Sequence, residues 1–250
     1  MGAHRLNGER LLALRADTCF VFTEAGRIAR VADPDRGPGP RWCLWGSSDT
    51  NVAFVRHDVG DATARALLEL AAGEPPLARH DSTPVHAERY VELLEREAPV
   101  VERVAGLTSW FAEDFGYEHG LALVASDAPR DERERLGVGP DTTLPAPFVA
   151  LGFSTVANLW EPWCVALHDG DMASMVETVR LGPLGAEAGV NTVPSLRGRG
   201  FAAAATAGWA TSRSLAGRTL FYSTAMTNRS SRRVTERLGL RFLGATFSVT

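Results

Sequence analysis

The residues best suited to chemistry in this 250-residue chain lie in one short segment, Pro194-Ser-Leu-Arg197-Gly198-Arg199-Gly200-Phe201-Ala202. Two glycines alternate with two arginines immediately before an alanine-rich run that reads as a helix. Glycine lets backbone N–H groups approach a ligand without obstruction, and a helix N-terminus adds roughly half a positive charge. Arg197 and Arg199 add whole charges, so a pyrophosphate is the natural guest. A tight turn that binds nothing is the competing reading of the same glycines. Upstream, Glu187 is the lone charged residue in Leu184-Gly-Ala-Glu-Ala-Gly-Val190. On a strand it shares one face with Gly189 and Asn191, because side chains alternate. A carboxylate there either accepts a proton or binds a substrate, or else it serves as a structural hydrogen-bonding partner. Glu177, on the preceding strand, is a second candidate.

Other chemistries lack their residues. Cys19, Cys43 and Cys164 lie far apart, and six histidines are scattered without ligand spacing, so neither a metal site nor a disulfide framework is expected. All 26 basic residues are arginine, which leaves no lysine for covalent catalysis or for a P-loop.

The elements that must position the segment follow from local patterning. A hairpin spans Thr18–Phe22 and Arg27–Val31, and strands follow at Arg41–Trp45 and Val52–Arg56. Asp61 caps a helix through Ala72, and a second helix runs from Thr83-Pro84 to Ala98. Residues 1–125 thus form an N-terminal α/β lobe, and the charged, Gly- and Pro-containing stretch 126–147 reads as a linker. Residues 148–250 form the second domain. Its strands Trp163–His168 and Met172–Arg180 flank Asp169-Gly170, a dipeptide suited to a tight hairpin. A strand at Ala186–Val193, a helix to about Leu215 and a strand at Thr219–Thr224 come next. A helix from about Asn228 to Leu238 and a last strand segment, Leu240–Val249, complete it.

Arg197-Gly-Arg-Gly200-Phe-Ala202 resembles the R/Q-x-x-G-x-G/A signature of the GNAT superfamily of acyl-CoA-dependent N-acyltransferases. Asn228-Arg-Ser-Ser231 with Arg237-Leu-Gly239-Leu240 resembles the superfamily's second helix, and the whole resemblance covers roughly residues 163–248. It implies an α/β (α+β) fold with a mixed, mostly antiparallel sheet flanked by helices. The N-terminal lobe is compatible with a degenerate copy of that fold. The co-substrate implied is acetyl-CoA, held in a cleft between two splayed strands. Backbone groups of Val190, Asn191 and Thr192 would pair with its pantetheine arm. The amides of Gly198, Arg199, Gly200, Phe201, Ala202 and Ala203 would cradle the pyrophosphate beside Arg197. Asn228 would contact the cofactor or an ordered water, and Glu187 would be the catalytic base. Where many relatives place a tyrosine as general acid, seven residues after the asparagine, this chain has Thr235; Tyr222 and Ser231 are substitutes.

The function so implied is transfer of an acetyl group to an amine of a small molecule or peptide. The alternative is a non-catalytic acyl-CoA-binding sensor or partner-binding module, which the missing tyrosine favours. Residues 1–150 carry 16 Arg against 24 acidic groups, and residues 151–250 carry 10 against 6. The acidic first part suits a cationic acceptor, and the basic second part an anionic ligand. A sequence pI near 5.9 argues against nucleic acid as partner. No apolar span is long enough for a membrane helix, and the opening residues lack a signal-peptide pattern, so a cytoplasmic location is expected. A homodimer is compatible with the resemblance.

Overall fold

The structure, a computed structural model, describes residues 7–250. The first half contains α1 (Gly8–Cys19), β1 (Phe20–Phe22), β2 (Ile28–Val31), β3 (Trp42–Gly46) and β4 (Asn51–Val55). It continues with α2 (Asp61–Ala72), α3 (Ala87–Glu95), β5 (Arg103–Trp110), β6 (Leu123–Ala125) and α4 (Arg130–Arg135). The second half contains α5 (Ala146–Val149), β7 (Cys164–His168), β8 (Asp171–Leu181), β9 (Gly185–Thr192) and α6 (Phe201–Ala210). It ends with β10 (Thr219–Ala225), α7 (Arg229–Arg237) and β11 (Arg241–Val249).

Nine strands form one sheet in the order β4-β3-β11-β5-β10-β9-β8-β7-β6, and β1 and β2 pair in a separate ribbon. Only β9 and β10 run parallel; the other neighbours in the large sheet are antiparallel. This is the mixed, mostly antiparallel architecture expected, but the sheet crosses the junction placed at 126–147. Strand β5, from before it, lies between β10 and β11, from after it. The first 125 residues therefore supply the centre of this sheet through β5 and one of its ends through β3 and β4, which join it by pairing with β11. Local composition could not show this, because strand pairing is set by partners distant in sequence.

Alternation along the strands divides the core between two faces. Trp42 and Leu44 of β3 face α2 and α3, while Cys43 and Trp45 face α1 and the β1–β2 ribbon. On β10, Leu220 and Tyr222 pack with α6, and Phe221 packs on the α1 side. Helix α6 is rich in alanine because it lies close to the sheet: Ala203, Ala204, Ala205 and Ala207 are all buried. A Cβ on Gly208 would meet Cys164 Sγ at 2.6 Å. Trp209 fixes the helix by donating from Nε1 to Thr178 Oγ1 at 2.9 Å.

Several local readings shift. Gly60, not Asp61, caps α2, and Asp61 pairs instead with Arg27 Nη2 at 2.8 Å. Helix α1 takes Thr18 and Cys19 from the expected hairpin, with Asn7 Oδ1 accepting from the Arg10 N–H at its start. Helix α3 begins at Ala87 and α6 ends at Ala210, both shorter than the patterning suggests. The turn at Asp169-Gly170 has the two positive φ angles its sequence calls for, 52° and 89°.

Gly244 tests the packing at the bulge in β11. A Cβ there would collide with the backbone carbonyl of Gly46 on β3, an atom that cannot swing aside. Gly244→Ala should cost about 2–3 kcal/mol, read as a fall in Tm of roughly 5–10 °C, whereas Gly116→Ala, at an open position, should change it little.

Candidate functional site

The site begins where β9 and β10 part. Their parallel pairing covers four rungs, Thr219↔Gly185 to Tyr222↔Ala188, and then stops. Beyond it β9 stays paired with β8, from Gly189↔Glu177 to Thr192↔Ser174, and β10 stays paired with β5 through Ala225↔Gly106. The inner edges of the two central strands are thereby left facing each other without a ladder. Val190, Asn191 and Thr192 lie on the freed part of β9, half-buried. The Thr192 hydroxyl is already engaged by Ser174 Oγ at 2.9 Å, which ties that end of β9 to β8.

At the open end, Pro194–Leu196 form one 3-10 turn, and the chain passes through Arg197 to Gly200 into α6. Gly198 has φ +80° and Gly200, the N-cap residue, φ +97°, conformations that side chains strain. No side chain caps α6, so the amides of Phe201, Ala202 and Ala203 lack the partner that a Ser or Asp would supply. Arg197 and Arg199 are exposed, and Arg199 Cζ lies 5.6 Å from the Phe201 ring. Sequence reading left out Arg237, on α7. Its Nη1 is 2.9 Å from where a Gly200 Cβ would stand, so the exposed guanidinium flanks the turn. The turn thus offers uncapped amides, two glycines whose missing side chains leave the backbone bare, and flanking arginines, a donor set that fits a phosphate group.

Asn228 plays a structural part, since as the N-cap of α7 its Oδ1 accepts from the Ser231 N–H at 3.0 Å. Thr235 Oγ1 donates back to the Arg232 carbonyl at 2.7 Å and is spent within the helix. Tyr222 and Ser231 come together at 2.8 Å, on the α6 side of the last β9–β10 rung. Burial pushes the Tyr222 hydroxyl up to about 12 against the opposing effect of Ser231.

Glu187 faces the other side of the sheet, toward α1, and is 7% exposed. Cys19 Sγ donates to its Oε2 at 3.0 Å, and Arg15 Nη2 stands 3.8 Å from Oε1. Arg15 Nη2 also donates to Ser223 Oγ at 3.1 Å. Burial alone would raise the Glu187 carboxyl, but Arg15, hydrogen bonds from Ser223 and Cys19, and Arg180 hold it below the ordinary range. Cys19 is the reverse case: burial and the neighbouring carboxylate push its thiol well up, so it is a neutral donor. These residues border a cavity of about 340 Å³, also lined by Trp45, Arg180 and the first β10 residues past the last rung, Ser223–Ala225. Sequence reading brought neither Arg15 nor Ser223 to Glu187. The available signal was helical spacing of Leu11, Leu12, Arg15, Ala16 and Cys19, all buried on α1.

Glu177 lies on the same sheet face, opposite Gly189, and accepts from the Trp160 N–H at 3.4 Å. Burial, with Asp35 adding to it, outweighs that hydrogen bond and raises its carboxyl to about 7. Among the described residues, no group of His, Cys, Asp and Glu is placed to hold a metal ion. Nor is any helix there long and apolar enough to cross a membrane.

No protein-family model and no curated protein matches this chain. Solved structures similar to it include a GNAT-family acetyltransferase from Novosphingobium aromaticivorans, 21% identical with a TM-score of 0.44. That match covers 60% of this chain and 65% of the other, a little under two thirds of its length. A GNAT-family acetyltransferase from Colwellia psychrerythraea is 12% identical over 99% and 98% of the two chains, with a TM-score of 0.44. A GCN5-related N-acetyltransferase-like protein from Streptococcus suis is 16% identical over 85% of each, at 0.42. These three are named as members of the superfamily that the motifs resemble, and likeness at this level concerns the fold alone.

The two buried glutamates predict opposite pH responses. Glu187 has a lowered folded pKa, so its contribution is complete above the ordinary carboxylate pKa and is lost as pH falls through the folded value. At pH 7, Glu187→Gln leaves Arg15 buried without its anion and should lose about 3–5 kcal/mol of stability. Glu177 has a raised folded pKa, so ionisation destabilises the folded state as pH rises from about 4.5 to about 7. Glu177→Gln should therefore raise Tm at pH 8 and leave it nearly unchanged at pH 4.5, as thermal melts at the two pH values will show.

Proposed function

We propose that the chain is an acyl-CoA-dependent N-acyltransferase that uses acetyl-CoA and acts on the amine of a small molecule or peptide. One observation carries the reading. The parting of β9 from β10 lies between an uncapped, arginine-flanked helix start and a cavity on the opposite face that holds a buried carboxylate. In this reading the turn from Gly198 to Ala203 binds phosphates with Arg197, Arg199 and Arg237, and β9 from Val190 to Thr192 pairs with the pantetheine arm. Asn228 holds the start of α7 in register with the turn.

Acetyl-CoA supplies an activated acyl group when bound; the chain supplies positioning and proton handling. The amine must attack as a neutral base, and its nitrogen then becomes far more acidic than a free ammonium. Glu187, ionised at neutral pH, receives that proton directly or through water. The Tyr222–Ser231 hydroxyl pair, at the vertex where the strands part, donates a hydrogen bond toward the leaving sulfur. The second reading, an acyl-CoA-binding module without turnover, is favoured by Thr235, whose hydroxyl is committed to its own helix.

Thermal melting with acetyl-CoA tests the binding half. At a concentration ~100 times Kd, binding adds about 2.7 kcal/mol, a rise of roughly 5–10 °C for a chain of this length. The rise should fall by more than half in the Arg199→Ala/Arg237→Ala variant, whose two side chains are exposed and cost the fold little. No rise in the wild type would overturn the reading.

Release of CoA over an amine panel separates enzyme from binding module. With Glu187 ionised throughout, kcat/KM between pH 6 and 9 should follow the amine's own titration with one ascending limb. An additional limb near pH 7 that disappears in Glu177→Gln would transfer the proton-accepting role to Glu177.

A further inference from the structure

Arginine is an unexpected residue on the buried stripe of α1, between Leu12 and Ala16. Arg15 is 6% exposed, and its guanidinium has few partners for so buried a cation. Nη2 is bonded to Ser223 Oγ, Glu187 Oε1 stands beyond hydrogen-bonding distance at 3.8 Å, and the Trp45 ring lies against it at 3.8 Å. Nε and Nη1 have no hydrogen-bond partner among the described residues. Buried donors are nearly always satisfied, and guanidinium donors form the strongest hydrogen bonds when they are.

Arg15 borders the cavity of about 340 Å³. A second guanidinium, that of Arg180, stands on its wall, tied to the Val179 carbonyl at 2.6 Å and to Asp33 Oδ2 at 3.1 Å through Nη1 alone. Of the Glu187 oxygens, Oε2 accepts from Cys19, while Oε1 faces Arg15 only at ion-pair distance. The polar wall thus offers two guanidiniums with unused N–H groups, beside one carboxylate and the hydroxyls of Ser223, Thr224, Thr246 and Ser248. An acceptor-only group completes it, and a carboxylate matches the fork of a guanidinium. Phe20, Val31, Pro40 and Trp45 give the wall an apolar side. The volume is at the small end of the range for ligand sites, room for an amino-acid-sized molecule.

We infer that the cavity binds a small amine that also carries a carboxylate on an apolar body, with Arg15 as its carboxylate-binding residue. Calling that molecule the acyl acceptor rests on the acyltransferase reading; the carboxylate site does not. It adds an anionic group to the cationic acceptor that the acidic residues 1–150 suggest. None of the acidic groups of residues 1–150 lines the cavity: Glu187 is the one acidic residue on its wall, with Arg15 opposite it.

The test compares matched ligands that differ only in the carboxylate: L-phenylalanine with phenethylamine, and L-leucine with 3-methylbutylamine. N-acetyl-L-phenylalanine and N-acetyl-L-leucine serve as product forms. Binding is read by calorimetry in the presence of CoA, and turnover by CoA release. The carboxylate-bearing member of at least one pair should bind more than tenfold tighter than its partner. Arg15→Lys keeps a cation opposite Glu187 and so preserves the fold, but it loses the fork, and the ratio should fall toward one. The wild-type comparison needs no variant at all.

Tighter binding of the simple amines, or no binding of any carboxylate at about 10 mM, overturns the inference. Stabilisation by acetyl-CoA in the same preparation separates the two levels. If it persists while the carboxylates fail, only the inference falls. If it is absent while carboxylates bind in an Arg15-dependent way, the site stands and the acyltransferase reading falls.

Discussion

Pairing between β9 and β10 is confined to four rungs, while each strand stays committed on its outer side to a ladder that continues past the last of them. On one side β8 follows β9 to Thr192, and on the other β5 follows β10 to Ala225. Neighbouring strands twist relative to one another, and here two antiparallel blocks meet along a single short parallel seam. Divergence past Ala188 and Tyr222 gives the open end where the chain turns into α6. The same divergence gives Ser223, Thr224 and Ala225 a free face on the cavity.

The opposite face depends on a buried charge. An apolar pair of similar volume would hold α1 against β9 with less desolvation than Arg15 and Glu187 require. Both side chains border the cavity: a carboxylate kept ionised by a cation, and a cation with two donors that have no partner among the described residues. Cys19 completes the arrangement as a neutral thiol donor rather than a nucleophile, since its environment opposes the thiolate. The first helix is therefore part of the site, although it precedes Glu187 by most of the chain.

The legible parts of the sequence were those governed by neighbours a few residues away. Helix α2 spans Asp61–Ala72 as its apolar spacing requires, and Asp169-Gly170 turns as its dipeptide requires. The glycines at 198 and 200 take the left-handed conformations that suit a phosphate cradle. Illegible parts were those fixed at a distance. Arg15 and Asp17 break the apolar run at the start of the chain, which hid α1; only the buried ion pair explains a charge on that stripe. Strand β5, with Gly106, Thr108 and Ser109 in its middle, has little of a strand's apolar alternation, because its partners on both sides supply the packing. The Arg237 guanidinium reaches Gly200 from a different helix, a meeting no spacing rule encodes.

The position of β5 also orders the birth of the molecule. It leaves the ribosome long before either strand that will flank it, and everything from Phe111 to Arg218 must follow before β10 begins to appear. Throughout that interval a central strand has both hydrogen-bonding edges open, a state that recruits other chains as readily as its own. Its mid-strand glycine and hydroxyl residues, which obscured it in the sequence, make it a poor template for such encounters. A strand that is weakly β-forming by itself and firmly held once its neighbours arrive suits a sheet closed from the middle last.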